Sequence, residues 1–268
     1  MSSEVIELIC RSHEYSSLRK AQLVMVEMIK VVDEICKKHN LTYWIDSGTL
    51  LGAIRHEGFI PWDDDADLCM PREDYDKFLA LVEKELPEHL ALETESVNLH
   101  KKLPWARLLY TKNFKWKFHN TGEEHMGLSI DIFPMDLVDY NTPNKKLVNI
   151  LSRICSSDKP QKIKDPKALI KSLLLSVNFK KYWVKYVNDL NEKGKGEYFC
   201  YGIETSFTNS RFLFHKEDIF PLKKATFENY EFSIPNNYDK YLTNLYGDYM
   251  RIPPENERMT HCTEFEII

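Results

Sequence analysis

The chain has 268 residues, 43% hydrophobic and 29% charged, with a formal net charge of −5. That is an ordinary globular composition, long enough to bury one large core or a core with an appendage. Its acidic balance excludes a general nucleic-acid binder, which carries a basic face. No two of the six cysteines form a CxxC pair, which argues against a zinc site and a disulfide framework and for a reducing, cytoplasmic compartment.

Met1 to Cys10 carries Glu4 and Glu7 and no basic run, unlike a signal peptide. The first predicted element is a helix over 18–39, where Leu18, Gln22, Met25, Ile29, Val32 and Cys36 fall near the helical period and Asn40 is a stop. Leu41 to Ile45 is rich in β-formers and bounded by Asp46-Ser47-Gly48, which predicts a strand. Thr49 to Arg55 starts a short helix, and Gly58 to Trp62 is a loop punctuated by Pro61. Ala66 to Met70 alternates as a strand, and Pro71 opens a helix running to about Glu85. Three more strands are expected at Trp105–Tyr110, Phe114–Phe118 and Leu128–Phe133. Residues 144–193 read as mostly helical, with no apolar run long enough to span a bilayer, since Leu169–Val177 is broken by Lys171. Ala225–Phe227 and Glu231–Ile234 pair as a hairpin across Glu228-Asn229-Tyr230, and 237–246 reads as a helix. This order predicts an α/β chain of the α+β kind, a mixed sheet flanked by helices with a mainly helical insertion.

The chemistry is concentrated in two acidic stretches. Asp65 and Asp67 stand two apart on a predicted strand, so their carboxylates share one face. Like charges this close repel and raise each other's pKa, and a hard divalent cation with oxygen ligands, such as Mg²⁺, removes the penalty. Asp63 adds a carboxylate at the same spacing, whereas Asp64 is expected to point away. Asp131 lies between Ile130 and Ile132, where a buried acid needs a partner that a shared metal supplies. Gly48-Thr49 precedes a helix start. Glycine admits close backbone approach and the helix offers free N–H groups, a cradle for phosphate. Carboxylates beside a phosphate cradle suit phosphoryl transfer, which needs positioning and charge neutralisation.

The combination of Gly-Thr, an Asp-x-Asp about 16 residues on and an isolated Asp between apolar neighbours follows the pattern of the polymerase-β-type nucleotidyltransferase superfamily. The run from Asp46 to Phe78, DSGTLLGAIRHEGFIPWDDDADLCMPREDYDKF, closely resembles the LicD family of phosphocholine transferases. The resemblance continues through Leu128 to Asp136 and returns at Leu245–Met250, Pro253-Pro254 and Arg258–His261, while about 140–215 matches least. It implies a nucleotidyltransferase-like sheet and transfer of phosphocholine from CDP-choline to a sugar hydroxyl of a teichoic acid or lipopolysaccharide precursor, releasing CMP. By the same resemblance Asp65 and Asp67 hold Mg²⁺ (or Mn²⁺), with Asp63 as a further ligand and Asp131 shared between metal and base duty. Gly48 and Thr49 meet the donor phosphates, helped by Arg55, Arg258 and His261, which fall in family-like stretches. The related fukutin group shares the acidic motif and handles CDP-ribitol. CDP-ribitol and CDP-glycerol are therefore alternative donors.

Three parts are expected: a catalytic core over 1–140, a mainly helical basic segment over 141–215, and a C-terminal segment over 216–268 that packs back on the core and contributes to the active site. Between Lys145 and Lys185 eleven Lys and Arg stand against Asp158 and Asp165. This is either a solvated helical face or a peripheral contact with a membrane and a lipid-linked acceptor at its cytoplasmic side. A trimethylammonium group requires aromatic walls, for which Trp62, Trp105, Trp116 and Tyr249 are candidates. A glycosyltransferase with an Asp-x-Asp metal site and a catalytically dead homologue are the competing classes.

Overall fold

The computed structural model describes residues 3–94, 105–118, 124–139, 195–202, 210–258 and 260–267, with Lys185, Asp189 and Lys193. The helix expected over 144–193 and the basic run 145–185 lie outside the described residues apart from those isolated positions. No described helix is long and apolar enough to cross a membrane.

The class is the predicted α+β. The elements in chain order are α1 (Ser3–Arg11), α2 (Ser17–His39), β1 (Trp44–Ile45), α3 (Ser47–His56), β2 (Asp67–Pro71), α4 (Arg72–Val82), β3 (Leu90–Glu93), β4 (Ala106–Phe118) and β5 (Glu124–Val138). After them come β6 (Tyr198–Tyr201), β7 (Leu213–His215), α5 (Lys216–Ile219), β8 (Lys223–Phe227), β9 (Tyr230–Ile234), α6 (Tyr238–Tyr246) and β10 (Cys262–Ile267).

Among the described residues eight strands form one mixed sheet whose central path is β1-β2-β5-β4-β10. Only β2 and β5 run parallel among its pairs, with Asp67 opposite Asp131. The other strands join antiparallel: β3 on β4, β6 on the C-terminal half of β5, and β7 on β6. The hairpin β8–β9 stands apart. Its two turn residues, Glu228 and Asn229, have φ of 51° and 66°, the left-handed pair that matches the twist of a tight hairpin.

Helix α2 is the core's main helix because its apolar positions recur every three or four residues. Val24, Met25, Met28, Ile29 and Val32 are all buried and the helix packs on β4, β5 and β10. Ser16 caps it by accepting a hydrogen bond from Arg19 N, and Asn40 ends it in the left-handed conformation. Lys37, Lys38 and His39 fill its last turn, where cations offset the negative helix end.

Several expected elements differ in extent. The two strands expected at Trp105–Tyr110 and Phe114–Phe118 are one strand, β4, whose register slips between Tyr110 and Lys115. Asn113, at φ 66°, sits in that slip, opposite Gly127 at φ 83°. A Cβ on Gly127 would lie 2.1 Å from Tyr110 O, so only glycine lets the strands close around the bulge. The helix after Pro71 ends at Val82 rather than near Glu85, and only Trp44 and Ile45 of 41–45 pair as a strand. Helix α1 and strands β3, β6, β7 and β10 were not anticipated.

Candidate active site

The parallel pairing of β2 and β5 builds the site. Asp131 N donates to Ala66 O at 2.8 Å, and Asp46 N to Asp67 O at 2.9 Å. With Asp67 opposite Asp131, the two carboxylates stand side by side, and Asp65 lies two residues upstream. Asp65, Asp67 and Asp131 line one cavity of about 430 Å³ together with Asp64, Arg107, Arg211 and His261. Its other lining is largely aromatic: Trp105, Trp116, Phe133, Tyr201, Phe212 and Tyr246.

The acids suffer from one another. Burial, then the charges of Asp65 and Asp131, push the Asp67 carboxyl well above its ordinary range. Burial also raises Asp131, against the opposing pull of Arg107 and Trp105. Those two residues hold it directly: Arg107 Nε donates to Oδ1 at 3.1 Å and Trp105 Nε1 to Oδ2 at 2.7 Å. Burial and the neighbouring Asp65 raise Asp63 far above a normal carboxyl. Tyr246 is raised by burial and then by Asp67. Among the described residues the side chain of Asp67 has no cationic partner. Crowded oxygen donors whose charged forms are mutually destabilised are the chemistry a hard divalent cation relieves, so these residues fit such an ion. A second grouping, Asp64, Asp65 and His261, brings its ligand atoms within 4.8 Å of one another. There, however, both Asp64 oxygens are engaged: Oδ1 accepts from His261 N and Nδ1, each at 3.0 Å, and Oδ2 from Cys262 N at 2.7 Å. Asp64 is therefore a clamp on β10, while Asp65 turns toward the cavity.

That clamp sets two pKa values. Burial pushes Asp64 up, but the hydrogen bonds from His261 and Cys262 outweigh it and leave the carboxyl below its usual range. The Asp64 hydrogen bond, aided by Asp65 at 3.5 Å, raises His261 to about 9. His261 is therefore a cation at neutral pH on the cavity wall.

The expected phosphate cradle is placed differently. A Cβ on Gly48 would lie 2.7 Å from Asp63 Oδ2, so the glycine makes room for the Asp63 carboxyl, which stands behind the cavity-lining Asp64–Asp67 run. Thr49 is buried, and its Oγ1 accepts from Asp67 N at 2.9 Å. It pins the strand rather than lining the cavity. Arg55 donates to Tyr249 O at 2.7 Å and to His56 Nε2 at 2.9 Å, tying down the loop after α6. Arg258 lies 4.3 Å from the Trp62 ring and donates to Pro253 O at 3.2 Å. Of the favoured basic residues only His261 lines the cavity. Of the aromatic candidates Trp105 and Trp116 line it, whereas Trp62 is covered by Arg258 and the Tyr249 hydroxyl donates to Asp239 at 2.7 Å.

Beneath the cavity Asp46 is fully buried and accepts from the hydroxyls of Tyr201 and Tyr241. It precedes the first residue of α3, Ser47, which adopts φ 46° and lines the cavity. Sequence reasoning passed over Arg107, Arg211, the buried role of Asp46 and the clamp role of Asp64. The one signal available was Asp46 opening the acidic motif.

The part of the site built by β1, α3, β2 and β5 lies inside a match to a known family. The profile described as LicD/FKTN/FKRP, nucleotidyltransferase domain, matches residues 40–189. The lipopolysaccharide cholinephosphotransferase LicD of Haemophilus influenzae is 28% identical over 263 residues, covering 91% of this chain and 96% of that protein. An uncharacterised Rickettsia typhi protein is 47% identical over 60 residues, 22% of this chain and 19% of its own. The human ribitol 5-phosphate transferase FKRP is 42% identical over 48 residues, 18% of this chain and 10% of that protein. With more than half of its length matched by the profile, and with β1, α3, β2 and β5 of the acidic site inside that match, the chain belongs to the LicD/FKTN/FKRP nucleotidyltransferase-domain family.

Proposed function

We propose that this phosphotransferase moves phosphocholine from CDP-choline to a sugar hydroxyl of a cell-surface glycan precursor of the lipopolysaccharide or teichoic acid type. The observation that carries the reading is the single cavity in which Asp65, Asp67 and Asp131 meet across from aromatic walls. The near-full-length likeness to a lipopolysaccharide cholinephosphotransferase supports the transferred group.

Asp65, Asp67 and Asp131 would hold Mg²⁺, with Asp63 behind them, and the ion supplies charge neutralisation for the donor phosphates. The acceptor hydroxyl oxygen forms a bond to the phosphorus that bears choline, the P–O bond to CMP breaks, and the hydroxyl proton passes to the Asp131 carboxylate. Arg107 and Trp105 fix the orientation of that carboxylate, and its raised pKa brings it nearer the poise a general base needs. His261, a cation held by Asp64, faces the developing phosphate charge. Trp105 and Trp116 offer π-faces to a trimethylammonium group. The described parts of 1–140 and 216–268 act together in this reading, since His261 and Tyr246 come from the latter. The acceptor would be lipid-linked and met at the cytoplasmic face of the membrane.

The likeness to a ribitol 5-phosphate transferase motivates one alternative, CDP-ribitol as donor. Calorimetry with CDP-choline, CDP-ribitol, CDP-glycerol and CMP, with and without Mg²⁺, separates them. Metal-dependent binding of CDP-choline above the others, lost in Asp65→Ala, is expected. Equal binding of all four would reduce the site to a reader of cytidine and phosphate and remove the choline assignment.

A further inference from the structure

We propose that Arg211 is the guanidinium that grips the pyrophosphate of the nucleotide donor. This deepens the function proposed above and rests on it. Arg211 lies beyond the residues matched by the family profile, in a turn of 3-10 helix over Ser210–Phe212.

The other cations near the site each have a partner. Arg107 is held by Asp131 at 3.1 Å. Arg55 donates to backbone carbonyls, and Arg258 lies over Trp62. His261 is hydrogen-bonded to Asp64. Arg211 is exposed and lines the cavity, yet among the described residues it forms no ion pair and no hydrogen bond. Four aspartates line the same cavity, and none of them reaches it. The acids and this guanidinium therefore line one cavity without pairing with each other.

Topology places the two arginines along one side of β5. Arg107 stands on β4, along the edge of β5 opposite β2. β6 follows β4 along that same edge, and Arg211 leads into β7, which pairs with β6. A ligand that reaches both the acids and Arg211 would meet a carboxylate cluster suited to a divalent cation and a guanidinium within one cavity. That arrangement suits a diphosphate, which carries negative oxygens on both phosphorus atoms. A planar guanidinium engages phosphate oxygens in pairs and keeps its charge at any physiological pH.

The arginine is also pre-positioned. Its Cζ lies 4.6 Å from the centroid of the Phe212 ring. Phe212 packs edge-on to Tyr201 at 5.7 Å, and Tyr201 donates to the buried Asp46. Two residues further, Phe214 stacks on Tyr241 at 3.8 Å and 13°, and Tyr241 bonds the same carboxylate at 2.6 Å. The turn is thus anchored in the aromatic packing beneath the cavity, which limits the ordering cost on binding.

The test is calorimetry in Mg²⁺ of CDP-choline, CMP and inorganic pyrophosphate against the wild type, Arg211→Ala and Arg211→Lys, with turnover and Tm measured alongside. Losing a charge-assisted phosphate contact should weaken CDP-choline and pyrophosphate by about 10- to 100-fold. CMP, with one phosphate, should lose less. Lysine should restore part of the affinity, since it keeps the charge and loses the fork. Tm should not move, because the side chain is exposed. If CDP-choline and pyrophosphate bind the wild type and Arg211→Ala equally, the assignment of Arg211 is wrong and the proposed function stands. If pyrophosphate binding depends on Arg211 while no CDP compound binds the wild type, Arg211 stands and the donor assignment is lost.

Discussion

Asp67 illustrates how the acidic site works against the fold that carries it. Its pKa is raised by burial and then by Asp65 and Asp131, so the proton is held more tightly in the folded chain than in the unfolded one. For a group shifted upward, stability is present below the unfolded pKa and declines as pH rises through the folded one. Near neutral pH, without metal, the Asp67 charge is therefore a cost. Asp67→Asn should raise the Tm of the metal-free protein at pH 7 by about 2–4 °C, the scale of about 1 kcal/mol at this chain length, while abolishing turnover. Calorimetric scans in chelator check it, and an unchanged or lowered Tm would refute the repulsion argument. Mg²⁺ should then stabilise the wild type more than the variant. The three acids of this cluster were legible because two of them follow a period of two and the third sits alone in an apolar strand. Asp64 was not, since its partners, His261 and Cys262, are almost two hundred positions away and only the register of β10 brings them near. Gly48 and Thr49 were legible as special positions but not in role. A glycine before a helix reads the same whether it admits a ligand phosphate or, as here, the carboxyl of Asp63.

At the level of elements, the loop that delivers the acids is held at both ends by α2 and the β8–β9 turn. Glu228 accepts Arg19 Nη1 and Nη2 at 2.6 and 2.5 Å, and also Phe59 N at 3.0 Å. Arg19 Nη1 also donates to Gln22 Oε1 at 3.1 Å, and Gln22 Nε2 donates to Asp63 O at 2.9 Å and Ile60 O at 3.3 Å. Gln22 is only 2% exposed, so removing its amide takes the side-chain donor from Asp63 O, at about 1–3 kcal/mol, while Ile60 O keeps Asp63 N at 2.9 Å. Gln22→Met should lower Tm accordingly and reduce turnover under conditions where the variant is fully folded, because Asp63–Asp67 loses its fixed path. Full turnover would show that the grip is structural alone. Glu228 adds a pH signature. Burial raises its pKa, but the Arg19 and Phe59 hydrogen bonds outweigh it and hold the carboxyl below the usual glutamate range. A depressed carboxyl contributes stability above the unfolded pKa that is lost as pH falls through the folded one. Stability should thus decline below about pH 4.5 in the wild type, and the decline should be shallower in Glu228→Gln. From the sequence, α2 and the hairpin were readable through their period and the Glu-Asn turn. Their contact was not, since nothing local links Arg19 to Glu228. The same limit hid β6, β7 and β10, short strands that exist because β5, β6 and β4 offer them edges.

For the molecule as a whole, the C-terminal strand both completes the sheet and completes the site. β10 covers β4 from Phe114 to Phe118, an edge that would otherwise present unpaired backbone groups. Its first residue, Cys262, and the preceding His261 are the donors to Asp64. A charge-assisted acceptor with three N–H partners is among the stronger polar contacts a protein makes. Asp64→Asn keeps the shape but turns one acceptor into a donor facing another donor. It should cost about 1–3 kcal/mol and speed amide exchange across Cys262–Ile267, with exchange in β2 and β5 little changed. Turnover should fall as His261 loses its tether and its elevated pKa. His261→Ala is the companion: it keeps the backbone bonds to Asp64, so β10 should stay protected while turnover falls alone. Were Asp64→Asn to lose activity with β10 exchange unchanged, Asp64 would act on the ligand directly, as a member of the Asp64–Asp65–His261 grouping, and the metal assignment would move to that trio. If β10 loosens in Asp64→Asn and stays closed in His261→Ala, the carboxylate is the clamp and the imidazole the group it delivers.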